Sequence, residues 1–445
     1  MKRITLTVSI LALAGALQCG AAAAQPKSLI DFYELALESD PEFQAAAATN
    51  AAAQELTPQA RSFLLPNVSA GGFARHNWLD VDKSAGIANL GSRDFNTQQA
   101  DISLTQPIYR HDLWVALGQA DIRTKQANAD YAFARQELMI RAATRYFDVL
   151  RAQDQLTFAK AALEAFGQQL KQAQQRFEVG LIAITDVEEA QSGFDLATAD
   201  VIAAENDLDN AREAQREVAG TYIEELKPLE GDIPLVTPAP DDIDLWTETA
   251  LRQNLQVTAA RFAAENAREE ISRIKAGHLP TLDLVGRSVY FNADGGVSGA
   301  SRSTDSQIGL ELTVPIYEGG LINSQTRESQ HLYQRSLDDL ERQRRAVQRQ
   351  TRDAFLGIKS NISRVKALVQ AVRSTISAKE AIEAGFQVGT RTSVDVLDAE
   401  RRVFEARRDL SFARYDYIVN TLELKQAAGT LSEADMELVN SWLTR

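Results

Sequence analysis

Asp395 and Asp398 stand three residues apart, which on a helix puts both carboxylates on one face, beside Val396 and Ala399. The same arrangement occurs earlier as Asp186 and Glu189, beside Val187 and Ala190. On a chain with 61 acidic residues, a solvated helix face is the ordinary reading of such a pair. Upstream of each pair lies a Val-Gly step, in Val179-Gly180-Leu181 and in Val388-Gly389-Thr390-Arg391. Its plain reading is a tight turn that needs glycine at a positive φ. Enzyme signals do not accompany these residues. His76, His111, His278 and His331 have no metal-ligand spacing, and no serine, histidine and acid set shares a motif. The stretch from Gly295-Gly296 to Gly299 lacks the lysine and following helix of a phosphate cradle. The expectation is no catalytic site, no structural metal and no cofactor.

The two sites are copies of one another. Phe177, Val179, Gly180, Asp186, Val187 and Ala190 return 209 positions later as Phe386, Val388, Gly389, Asp395, Val396 and Ala399. Gln106 to Tyr109 returns as Val314 to Tyr317, Leu65-Pro66 as Leu279-Pro280, and Ala219-Gly220 as Ala428-Gly429. Solenoid units are about 20–50 residues, so a period this long is a duplicated half-molecule.

Each half must position its tip with the same elements. The first repeat spans 25–220, with a hairpin at about 66–109, a long helix at about 112–178 and a return helix at about 185–219. The second spans 245–429, with a hairpin at about 280–317, a long helix at about 321–387 and a return helix at about 394–428. A proline-rich linker, 221–244, joins them, and a tail, 430–445, follows. In the hairpins Ile308, Leu310, Leu312 and Val314 alternate with Gln307, Gly309, Glu311 and Thr313. Strands of about 11 residues match the length that crosses a bilayer. Polar stretches at about 79–96 and 292–304 read as their loops.

Four strands cannot close a membrane barrel, which starts at about eight. Either the hairpins pack within a soluble domain, or several chains pool their strands. The long helices carry Val149, Ala152, Leu156, Ala159, Leu163, Phe166, Leu170, Ala173 and Phe177 in steps of three and four, the seam of a coiled coil. In the second copy Lys379 and Glu383 interrupt that seam. The return helices carry matching alanine-rich stripes, from Val187 to Leu208 and from Val396 to Tyr417. Each out-and-back pair is therefore expected to lie antiparallel with a Val-Gly step at its tip.

Residues 1–24 read as a secretory signal, with Lys2 and Arg3, an apolar core from Ile4 to Leu17, and small residues up to Ala24. The single cysteine, Cys19, would leave with it, and Gln18 before it argues against lipidation. A net charge of −14 argues against nucleic-acid binding. No later stretch approaches about 18 continuous apolar residues, so any membrane contact must be made by strands.

The segment from Gly389 to Met436 (GTRTSVDVLDAE onward), with RFEVGLIAITDV, GHLPTLDL and VPIYEGGLINSQ, resembles the TolC family of outer-membrane efflux and type I secretion channels. The likeness runs in order through both repeats. It implies an α+β membrane protein, in which three chains give four strands each to a 12-stranded outer-membrane barrel. That barrel would continue into a periplasmic α-helical coiled-coil barrel belted by the linker and tail. It also implies a homotrimer in outer-membrane lipid, a periplasmic adaptor (membrane fusion) protein, an inner-membrane RND or ABC pump, and a passive gated exit duct for drugs and/or secreted proteins. The alternative is a periplasmic or surface coiled-coil protein, structural or adhesive, without a pore. That alternative explains the rods but not the recurrence of bilayer-length hairpins.

By the same resemblance, Asp395 and Asp398 form a cation-binding ring at the entrance, where crowded like charges raise one another's pKa or recruit cations. Arg391, Thr185, Asp186 and Phe386 match positions that link neighbouring helices and hold the entrance shut. Arg391 has the donors to clamp Thr185 on a neighbouring tip. Phe386 departs from the family's tyrosine and cannot bond Asp186. Either the closed state is looser, or packing replaces that bond. Val179, Gly180, Leu181, Val388, Gly389 and Thr390 match the adaptor-docking tips.

Overall fold

The computed structural model describes residues 26–81, 91–231, 233–296 and 299–444. The expected signal, 1–24, lies outside them, as do parts of both expected hairpin loops. In the first half, α1 (Leu29–Ser39), α2 (Pro41–Gln54) and α3 (Leu56–Ser62) lead into β1 (Asn67–Val81) and β2 (Gly91–Tyr109). The rods α4 (His111–Glu178) and α5 (Ile184–Ala219) follow. The second half repeats the order with α6 (Ile243–Gln253), α7 (Leu255–Lys275), β3 (Thr281–Ala293), β4 (Ser301–Thr313), α8 (Leu321–Gln387) and α9 (Ser393–Ala427), before a short α10 (Glu433–Asn440). At 68 and 67 residues, α4 and α8 are each about 100 Å long.

The strands form one antiparallel sheet in the order β1-β2-β3-β4, so the two hairpins are joined through β2 and β3. Pairing runs further than the apolar alternation, giving strands of 15, 19, 13 and 13 residues. Much of the stretch read as the first loop is strand, because Trp78 pairs with Asp94 and Leu79 with Arg93. Ladder bonds come from the backbone and do not require apolar side chains where both faces are wet. The register places Val68, Leu104, Gly286 and Ile308 in one row, with Leu284–Leu310 and Leu282–Leu312 beside it on the same face. Asp101, Arg287, Gln307 and Glu311 fall on the other face by the two-residue period. The outer edges of β1 and β4 have no partner strand among the described residues.

The main core lies where the rods meet α1, α10, the linker and the tail. Phe32, Tyr146, Phe147, Tyr417, Ile418 and Met436 are fully buried there. Linker and termini are tied together by a Lys27–Leu226 bridge, a Leu229–Leu443 bridge and the Glu230 N–H donating to the Trp442 carbonyl at 2.8 Å. The buried hydroxyl of Tyr146 donates to the Lys227 carbonyl at 2.8 Å. Beyond this belt, α4 and α5 meet through small clusters, Ala159 with Val201 and Ala204, then Leu170 with Ala173 and Ala190. Alanine at alternate seam positions lets the helices approach closely, and it also limits the apolar area each turn can bury.

Candidate gate at the helical tips

Both rods end in the same backbone motif. The Gly180 N–H donates to the Phe177 carbonyl (2.8 Å) and the Leu181 N–H to that of Arg176 (2.9 Å). In the second copy Gly389 donates to Phe386 (3.1 Å) and Thr390 to Gly385 (2.9 Å). These are Schellman closures, and each requires the left-handed glycine found there, with φ of 75° at Gly180 and 79° at Gly389. Around them Val179, Leu181 and Val388 are at least 70 % exposed. Large apolar side chains are thus displayed at both equivalent turns.

The return helices start with matching carboxylates. The Asp186 carboxylate accepts the Ala183 N–H at 3.2 Å. Asp395 accepts both the Thr392 N–H (2.9 Å) and the Thr392 hydroxyl (3.0 Å). The Asp395 N–H in turn donates to the Thr392 oxygen at 3.2 Å, completing a capping box. The Thr392 N–H and hydroxyl, helped by the nearby Arg391 charge, hold the Asp395 carboxyl below its usual range. Within the chain, local groups therefore act opposite to the upward shift expected from a crowded ring. Asp398 sits 3.7 Å from the Arg401 guanidinium.

Arg391 is exposed and makes no ion pair among the described residues. Its stem lies over Gly385, where an added Cβ would fall 2.8 Å from the Arg391 Cγ. No hydrogen bond joins it to Thr185 or Asp186 within the chain, and Thr185 is exposed. The Phe386 ring is covered by the Arg176 guanidinium, whose carbon lies 4.5 Å from the ring centroid. Packing thus occupies the ring that lacks a hydroxyl.

The family description Outer membrane efflux protein matches residues 32–221 and 246–430 of the chain. The chain belongs to the outer membrane efflux protein family. Outer membrane protein TolC of Vibrio cholerae is 41% identical over 422 residues, covering 94% of each chain. The alkaline protease secretion protein AprF of Pseudomonas aeruginosa is 31% identical, covering 92% of this chain and 86% of its own. The crystal structure of outer membrane protein VceC from Vibrio cholerae superimposes with a TM-score of 0.75 at 20% identity, covering 90% of this chain and 96% of that one. This outer membrane efflux protein is an outer-membrane exit duct and not an enzyme. Its fold class is α+β, with four strands among the described residues continuous with long helical hairpins. No helix among the described residues is long and apolar enough to cross a membrane.

Three contacts near the tips of the efflux protein join different helices. Arg176 covers Phe386, the Arg401 guanidinium lies 5.9 Å from the Phe166 centroid, and Lys379 bridges Glu400 (2.6 Å) and Glu383 (3.6 Å). Only the third had a visible signal in the sequence, the break in the α8 seam at Lys379 and Glu383. Charges placed on an otherwise apolar stripe must find partners across it.

Proposed function

We propose that three copies of the chain pool their sheets into a 12-stranded barrel, and that the helical tips form the gated periplasmic entrance of a passive duct. The observation carrying this reading is the sheet with two bare edges and one apolar face. In lipid an unpaired strand edge leaves backbone groups unsatisfied, so such a sheet must close with copies of itself. The repeats 25–220 and 245–429 then supply six tips around one pore. Asp395 and Asp398 face the opening as rings of carboxylates. Arg391, whose guanidinium makes no ion pair among the described residues, reaches Thr185 and Asp186 of a neighbouring chain and holds the entrance shut. The exposed tips, Val179-Gly180-Leu181 and Val388-Gly389-Thr390, receive a periplasmic adaptor. An inner-membrane RND or ABC pump supplies the energy for drugs and/or secreted proteins. Single-channel recording in planar bilayers tests the gate: Arg391→Ser raises the conductance, and an unchanged conductance rejects the assignment.

A further inference from the structure

We infer that Arg176 and Arg401 clasp the two helical hairpins of one chain together at the entrance, each stacking its guanidinium on a phenylalanine of the other repeat. The contacts are reciprocal. Arg176, in the last turn of α4, covers Phe386 in the last turn of α8, with 4.5 Å between guanidinium carbon and ring centroid. Arg401, in α9, lies over Phe166 of α4 at 5.9 Å. The first joins the ends of the two outgoing rods, and the second ties the returning helix of the second repeat to the outgoing rod of the first.

Among the described residues, the apolar contact between the hairpins at this level is modest. The shared apolar cluster is small, with Phe166 and Ala197 from the first repeat and Leu397 from the second. A guanidinium over an aromatic face is attracted by the ring quadrupole and excludes water from it. The stack also survives small sliding motions, because it has no fixed donor–acceptor angle. Phe386, which offers no hydroxyl, is thereby a ring platform, and Arg401 holds its place between Phe166 and Asp398. Both arginines are positioning residues: they set how far apart the two hairpins stand.

The consequence for conductance rests on the gated-duct reading, whereas the clasp itself is measurable without it. Spin labels at the exposed positions Glu178 and Gln387, in a Cys19→Ser background and with labelled chains diluted among unlabelled ones, report the separation of α4 and α8. The full-length protein gives a narrow distance distribution, retained in Arg176→Lys and in Phe386→Trp, which keep a charge or a ring face. Arg176→Met and Phe386→Leu broaden and lengthen it, and combining the two adds little to either alone. In planar bilayers Arg176→Met raises the open population by about two- to fivefold, the weight of one exposed cation–π contact. Distances that stay narrow in Arg176→Met overturn the inference whatever the conductance does. Distances that spread while neither Arg176→Met nor Arg391→Ser alters the conductance uphold the clasp and reject the gate.

Discussion

The Lys379 ammonium lies 2.6 Å from a Glu400 carboxylate oxygen, joining the facing helices α8 and α9. The Glu400 side chain is only 14% exposed, so its charge depends on this partner. Removing the lysine alone, as in Lys379→Met, leaves a largely buried carboxylate and costs about 1–3 kcal/mol. Replacing both, as Lys379→Leu with Glu400→Leu, restores an apolar seam and recovers most of that loss. Thermal unfolding of the detergent-solubilised protein distinguishes the two. If the single variant is as stable as the parent, the ion pair contributes nothing.

The same pair carries a pH signature. Burial pulls the Lys379 pKa down, but Glu400 and Glu383 more than offset it, and the net shift is upward from 10.5. A raised lysine pKa contributes stability that is complete below the unfolded value and is lost as pH rises through the folded one. On the alkaline side, the parent therefore loses stability relative to the double-leucine variant above about pH 10.5. Parallel melting curves of the two proteins across that range would contradict it.

At the entrance, Asp395 has the opposite sign. Its carboxyl is lowered by the Thr392 N–H and hydroxyl, so it remains ionised through neutral and mildly acidic solution. Block of the channel by multivalent cations is expected to persist through mildly acidic solution and to fade as the Asp395 carboxyl protonates below its usual range. Asp395→Asn with Asp398→Asn abolishes the block while keeping an acceptor for the helix cap. Block that survives the double substitution rejects the ring.

Two left-handed glycines separate strain from crowding. Gly389 has φ of 79° and open space around it, so Gly389→Ala costs the backbone strain alone, about 1–2 kcal/mol. Gly429 has φ of 74° at the end of α9, and an added Cβ would fall 2.6 Å from the Gln253 carbonyl carbon and 2.8 Å from the Asn254 nitrogen. Gly429→Ala is expected to cost about 3 kcal/mol or more, since backbone on both sides must move. Denaturant midpoints that rank the two the other way would remove the crowding argument.

The faces of the sheet make a further contrast. Leu310 shares the apolar face with Leu284, while Glu311 falls on the opposite, polar one. Leu310→Arg places a charge on the apolar, lipid-directed face and destabilises the oligomer by up to about 2–4 kcal/mol, whereas Glu311→Arg changes little. Heat-modifiable migration of the oligomer on gels reads both, and equal loss in the two variants would overturn the facing.

Much of this protein was legible along the chain because its information is local and periodic. Steps of three and four from Val149 to Phe177 specify a rod, alternation around Ile308 to Leu312 specifies a strand, and Val-Gly before an acidic helix start specifies each tip. Even the register leaves a trace, since one apolar face admits one parity of pairing. The 209-residue echo revealed that all of this happens twice. The extent of the strands was less visible, because residues 91–96 pair through backbone groups that side-chain patterns do not report.

Only the tertiary structure decided which residues meet across the two repeats. Arg176 and Phe386 are separated by 210 residues, nearly half the chain, and nothing in their neighbourhoods marks them as partners. Their contact follows from the rotation of α4 and α8 about their own axes and from the lateral spacing of the hairpins. Those angles are set by the summed packing of alanine seams and the belt around Tyr146 and Tyr417. Likewise the spacing of Asp395 placed it on the face of Asp398, but the folded turn turned its carboxylate back onto Thr392 and so lowered its pKa. Periodicity determines which face a residue occupies, and only the arrangement of faces in space determines what that residue touches.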